Sequence, residues 1–148
     1  MKRKPERGSL VRAAVSLMEN LGTPLTKLPG RGNLYGASTG KTVRIRTCNQ
    51  HKLLVNAASP NPDAKLDIDG TDSLLVVMPE KERTEGENIF YLVPTTEAVA
   101  EMRGAARKWL ASHPATNGQN MTWTLAFKKM TAHDNYAVKW EKYRLNSP

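Results

Sequence analysis

Thr42-Val43-Arg44-Ile45-Arg46-Thr47 is the stretch from which the fold is read. Successive side chains of a strand point to opposite faces. Strict alternation of β-branched and charged residues therefore predicts a strand with Val43 and Ile45 on one face and Arg44 and Arg46 on the other. Upstream, Ser38-Thr39-Gly40-Lys41 has the composition of a hairpin turn, and Asn33-Leu34-Tyr35-Gly36-Ala37 reads as the strand before it. Pro29-Gly30-Arg31-Gly32 is a second turn, with a short strand expected between Thr23 and Leu28. Further back, Leu10, Val11, Ala14, Val15, Leu17, Met18 and Leu21 recur at helical spacing, with Ser9 as the expected N-cap and Gly22 as the stop.

Downstream, Leu53-Leu54-Val55 continues the β character after a polar break, and residues 59–72 form a loop rich in Pro, Asn and Asp. Ser73-Leu74-Leu75-Val76-Val77-Met78 is a continuous apolar run, the pattern of a strand covered on both faces. Pro79 to Asn88 is charged and reads as a surface turn before the strand Ile89-Phe90-Tyr91-Leu92-Val93, which Pro94 ends. Thr95 or Thr96 then caps a helix with Val99, Met102, Ala106, Trp109 and Leu110 as its expected apolar face. Met121, Trp123, Leu125 and Phe127 alternate as in a strand, and Tyr136, Trp140 and Tyr143 sit at helical spacing and are expected to close the core. Strands clustered between helices predict an α+β fold with a central mixed β-sheet flanked by helices. Residues 1–8 are expected to be a flexible basic arm, and residues 9–148 a single domain.

The 148 residues suffice to bury a core without staples. Cys48 is the only cysteine, which suits a reducing, cytoplasmic setting, and no apolar h-region follows the basic N-terminus. No stretch has the length of a membrane span. The dominant compositional fact is charge. Twenty-two Lys and Arg stand against 14 Asp and Glu, for a net +8. A field of that sign attracts polyanions, of which nucleic acid is the commonest in a cytoplasm.

Three motifs resemble chemistry they do not support. Gly36-Ala37-Ser38-Thr39-Gly40-Lys41-Thr42 has three residues between its glycines where a phosphate loop needs four, and a strand follows where a helix is required. Asp67-Ile68-Asp69-Gly70-Thr71 resembles a phosphatase aspartate signature, but no buried strand precedes it. The same aspartates lack the closing Glu of a calcium loop, so the reading is a solvated acidic loop. Cys48, His51, His113 and His133 do not have the spacing of a zinc site. No cofactor or metal is expected.

In element order and apolar pattern, Leu10 to Thr47, Asp72 to Val77 and Tyr91-Leu92-Val93-Pro94 resemble the restriction-endonuclease-like PD-(D/E)XK proteins. That resemblance implies a site where carboxylates and a Lys gather Mg²⁺ and water for phosphodiester hydrolysis. Carried onto this chain, the metal-binding Asp falls on Asn33, the acidic or Gln position on Arg44 and the Lys on Arg46. A guanidinium does not deprotonate and sets a fixed positive charge where the cation would sit. The resemblance thus implies a nuclease fold that no longer cuts.

The candidate nucleic-acid-binding residues are Arg31, Lys41, Arg44 and Arg46, which would form a stripe on the strand and its turns, and Lys52. Arg103, Arg107 and Lys108 form a second candidate row, and Lys128 and Lys129 a third. The leading expectation is a non-catalytic, nucleic-acid-binding accessory or regulatory protein of bacterial or phage type, contacting the phosphate backbone, with DNA preferred to RNA as the partner. A metal-dependent nuclease using Asp67, Asp69, Asp72 or Glu87 is the enzymatic alternative. A module binding an acidic protein partner, or a homodimer, is the third.

Overall fold

A computed structural model describes residues 7–30, 32–48, 52–57, 63–79, 88–112, 122–127 and 138–145. Helix α1 spans Arg7–Asn20 and is followed by β1 Leu25–Lys27, β2 Leu34–Ala37, β3 Thr42–Thr47 and β4 Lys52–Asn56. Then come β5 Ser73–Pro79, β6 Asn88–Pro94, helix α2 Thr95–Ser112 and β7 Thr122–Ala126. A 3₁₀ segment, Val138–Tyr143, and the two-residue β8, Arg144–Leu145, complete the order. The fold is α+β, and no helix among the described residues is long and apolar enough to cross a membrane.

The main sheet has the order β1-β2-β3-β5-β6-β8. It is mixed: β3 and β5 run parallel, and every other neighbouring pair is antiparallel. The apolar run of β5 behaves as its composition requires, with Leu74 through Met78 all fully buried. Leu75 and Val77 join Val43 and Ile45 beneath α1, whose Leu10, Val11, Ala14 and Met18 cover that face. Leu74, Val76 and Met78 face the other way, against Ala98, Met102 and Ala106 of α2 and the rings of Phe127 and Trp140. Tyr91, Phe127, Trp140 and Tyr143 form a row of tilted ring contacts that closes this second core.

Several expectations need correcting. The Leu53–Val55 segment is extended, as its composition implies, but lies outside the main sheet. As β4 it pairs with β7 in a separate two-stranded ribbon, which buries Leu53, Val55 and Leu125 and leaves Leu54 exposed. Helix α1 begins at Arg7, so Ser9 lies inside its first turn, and Arg7 and Gly8 are helical rather than part of the expected arm. A capping preference is a weak signal beside the apolar face that the helix buries. At the other end Gly22 and Thr23 donate their amides back to Glu19 and Met18, which closes the helix as expected. The buried face of α2 is Ala98, Met102 and Ala106, with Val99 at its margin and Trp109 37% exposed. Alanines two turns apart, Ala98 and Ala106, let the helix approach the sheet closely, and the bulkier Trp109 is left at the edge. The C-terminal aromatic segment is 3₁₀ rather than α-helical, and β8 after it was not foreseen. Residues 1–6 and Tyr136 lie outside the described residues.

Candidate functional site

The parallel pairing of β3 and β5 demands a crossover, and its route builds the site. The chain leaves β3, forms β4, and returns to β5 through residues 63–72. Leu66 and Ile68 of this return are 1% and 0% exposed and sit in the core on the α2 side of the sheet. That is the face on which β3 presents Arg44 and Arg46, opposite to Val43 and Ile45. Buried Leu66 and Ile68 alternate with Asp67 and Asp69, so the aspartates stay at the surface of the loop, over the arginines.

Arg44 donates from Nε to the Thr71 hydroxyl at 3.2 Å and from Nη1 to the Gly32 carbonyl at 3.5 Å. Arg46 pairs with Asp67 at 3.4 Å; their side chains are 15% and 33% exposed. The two guanidinium groups converge on one point. A Cβ added to Gly32 would stand 2.7 Å from Nη1 of Arg44 and 3.7 Å from Nη2 of Arg46. Gly32 has φ +76°, where L side chains are strained, so the backbone favours glycine there, and a Cβ would displace the tip of the Arg44 side chain.

Helix α2 supplies two more guanidinium groups to the same loop. Arg103 donates to the Ala64 carbonyl at 2.8 Å and lies 3.8 Å from Asp69. Arg107, one turn on, pairs with Asp63. Asp69 also accepts the Leu66 amide at 2.9 Å, which ties the turn to itself. The reading of 63–72 as simply a solvated acidic loop is thus corrected: three of its aspartates are bound to arginines from two different elements. The crossover supplies Thr71 to Arg44 and Asp67 to Arg46, whose neighbours on the adjoining strands are Leu34, Leu74 and Val76.

Of the sequence-derived positions, Arg44, Arg46, Arg103 and Arg107 therefore meet around one loop. Lys41 is exposed in the β2–β3 turn, close enough to Asp72 for its charge to act on that carboxyl. Lys52 is half-buried on β4. Lys108 is exposed, and its position next to Arg107 turns it away from the arginine row. Arg31, Lys128, Lys129 and Glu87, like His51, His113 and His133, lie outside the described residues.

The three described aspartates of the nuclease alternative have separate engagements. Asp67 and Asp69 hold arginines, and Asp72 accepts the Thr42 amide at 2.8 Å and its hydroxyl at 3.0 Å. These bonds, with the Lys41 charge, hold the Asp72 carboxyl below the usual carboxylate range. Among the described residues no group of three His, Cys, Asp or Glu side chains could hold a metal ion. Asn33, to which the resemblance gave a metal ligand's place, adopts φ 53° and accepts the Ile45 amide at 3.0 Å through its carbonyl. Asn is the side-chain-bearing residue that best tolerates this left-handed conformation, and backbone geometry accounts for its presence. The Asn33 carbonyl thus meets β3 at Ile45, the residue between Arg44 and Arg46.

Sequence reasoning missed Asp63, Thr71 and the pairing role of Asp67 and Asp69. The signal present was the alternation Leu66-Asp67-Ile68-Asp69, which marks a loop with two core anchors. Cys48 is buried, and burial pushes its thiol up to about 12. No family model, curated protein or solved structure matches the chain.

Proposed function

We propose that this protein binds nucleic acid, DNA in the first instance, through its phosphate backbone and without cutting it. One observation carries the reading: Arg44, Arg46, Arg103 and Arg107, from β3 and α2, converge on one loop and grip oxygen acceptors there. A guanidinium stays charged whatever its burial, and its fork of donors fits a phosphate as it fits a carboxylate. Three aspartates answer these arginines locally, yet the chain retains a surplus of eight positive charges to draw a polyanion toward them. The resemblance to nuclease folds points the same way, since arginine in place of a metal-binding acid turns a cleavage site into a phosphate-holding one.

Phosphate contacts release condensed counterions. The logarithm of the binding constant on duplex DNA should fall by about 0.9 per contact against the logarithm of salt concentration. A mobility-shift titration at several salt concentrations, with and without Mg²⁺, tests this. We expect a steep slope, intact DNA in every lane, and a shallower slope for Arg44→Met/Arg46→Met. An affinity that is flat in salt, or an unchanged slope in the double variant, would refute the assignment.

A further inference from the structure

We propose that Asp63 and Asp67 are internal substitutes for phosphate, occupying Arg107 and Arg46 until a nucleic-acid backbone replaces them. This inference rests on the binding reading above and adds its regulation: the site is held partly closed by the protein's own carboxylates. A carboxylate and a phosphate present the same pair of oxygen acceptors to a guanidinium, so the two compete for one geometry.

The loop's anchoring decides how the exchange occurs. Leu66 and Ile68 are locked in the core, so the segment cannot swing away as a lid. Asp69 is held by the Leu66 amide and stays as the loop's own brace. Asp63 and Asp67 can move by side-chain rotation alone. The Arg107–Asp63 pair is the outer one, with side chains 53% and 64% exposed, and should yield first. Arg46, at 15%, becomes reachable only after Asp67 turns aside. The inference therefore predicts a two-step gate, with an outer contact that captures the backbone and an inner one that secures it.

The test is fluorescence anisotropy of a short labelled DNA duplex across a salt series, using the full chain as wild type, Asp63→Asn, Asp67→Asn and Glu19→Gln. Glu19 is exposed on α1, across the sheet from the arginines, so its substitution makes the same charge change at a distance. If each aspartate competes with phosphate for its arginine, removing it spares the backbone that competition while the number of contacts in the complex stays the same. Affinity then rises about fivefold at every salt concentration, with the slope near the wild-type value, because an exposed ion pair no longer has to be broken. Glu19→Gln should leave the affinity unchanged, because fields beyond about 10 Å are screened at about 0.1 M salt.

The proposal is overturned if both Asp variants keep the wild-type affinity, or if Glu19→Gln matches them. Asp63→Asn sits on the exposed pair, so it keeps the test valid if Asp67→Asn folds poorly. Should wild type and all variants fail to bind, the nucleic-acid reading itself falls. Binding by wild type with unaltered Asp variants removes only the gate.

Discussion

Gly32 offers the sharpest test of how the arginine cluster is built, because Gly40 supplies its control. Both glycines have positive φ, +76° and +85°. A Cβ on Gly40 meets nothing within 4 Å, whereas one on Gly32 would stand 2.7 Å from Arg44 Nη1. Gly40→Ala should therefore cost only the left-handed backbone penalty of an L-residue, about 1–2 kcal/mol. Gly32→Ala carries the same penalty and must also push the Arg44 guanidinium off the Gly32 carbonyl and strain its bond to Thr71. Bonds made by charged groups, weakened here by partial exposure and length, add about 1 kcal/mol more. Urea denaturation of the two variants, and of both in an Arg44→Met background, resolves the terms. The expected result is that Gly32→Ala costs more than Gly40→Ala in wild type and that the excess vanishes with Arg44→Met. Equal costs in wild type, or an excess that survives without Arg44, would refute the convergence of the guanidinium groups on Gly32.

Two further outcomes follow from titratable groups. The Asp72 carboxyl titrates below its ordinary value of 3.8, chiefly because the Thr42 amide and hydroxyl donate to the ionised form. Its stabilising contribution is present above the unfolded value and is lost as pH falls through the folded one. The urea-midpoint gap between wild type and Asp72→Asn should therefore narrow as pH drops from about 6 to about 3, and a constant gap would contradict the assignment. Cys48, 3% exposed and with its thiol pushed up to about 12, should react with a disulfide reagent only as fast as the protein opens. Rapid labelling of the native protein, at a rate unchanged by urea, would show that the site is accessible.

The elements legible in the sequence are those whose periodicity is set within a few residues. The alternation of Thr42–Thr47, the unbroken apolar run of β5 and the helical spacing of α1 each state locally how the chain must fold to hide its apolar groups. Leu53-Leu54-Val55 states only that it is extended. Whether it extends the main sheet or pairs with β7 depends on Trp123 and Leu125, its partners in the register, some 70 residues on, and propensity carries no such information. The α2 face was displaced for a related reason. Large side chains mark an apolar stripe more loudly than alanines do, but it is Ala98 and Ala106 that permit close approach to the sheet.

The site was half legible, and the missing half concerns sign. That Arg44 and Arg46 share a face follows from strand geometry alone. That Asp67 stands over Arg46 follows from a crossover that packs Leu66 and Ile68 on the arginine side of the sheet, which no local pattern announces. Burial then makes the pairing obligatory. An arginine held at 15% exposure keeps its charge, so it must find an anion or strong acceptors nearby, whereas a lysine there could shed its proton. Arginine on β3 and α2 thus entails oxyanions in the turn between them. Loss of stability on removing Asp67 would be expected of either a brace or a gate, since both leave Arg46 without its partner carboxylate. Only the affinity for DNA separates them, because removing a brace gives the phosphate nothing, while removing a gate's carboxylate leaves its arginine open to phosphate without competition.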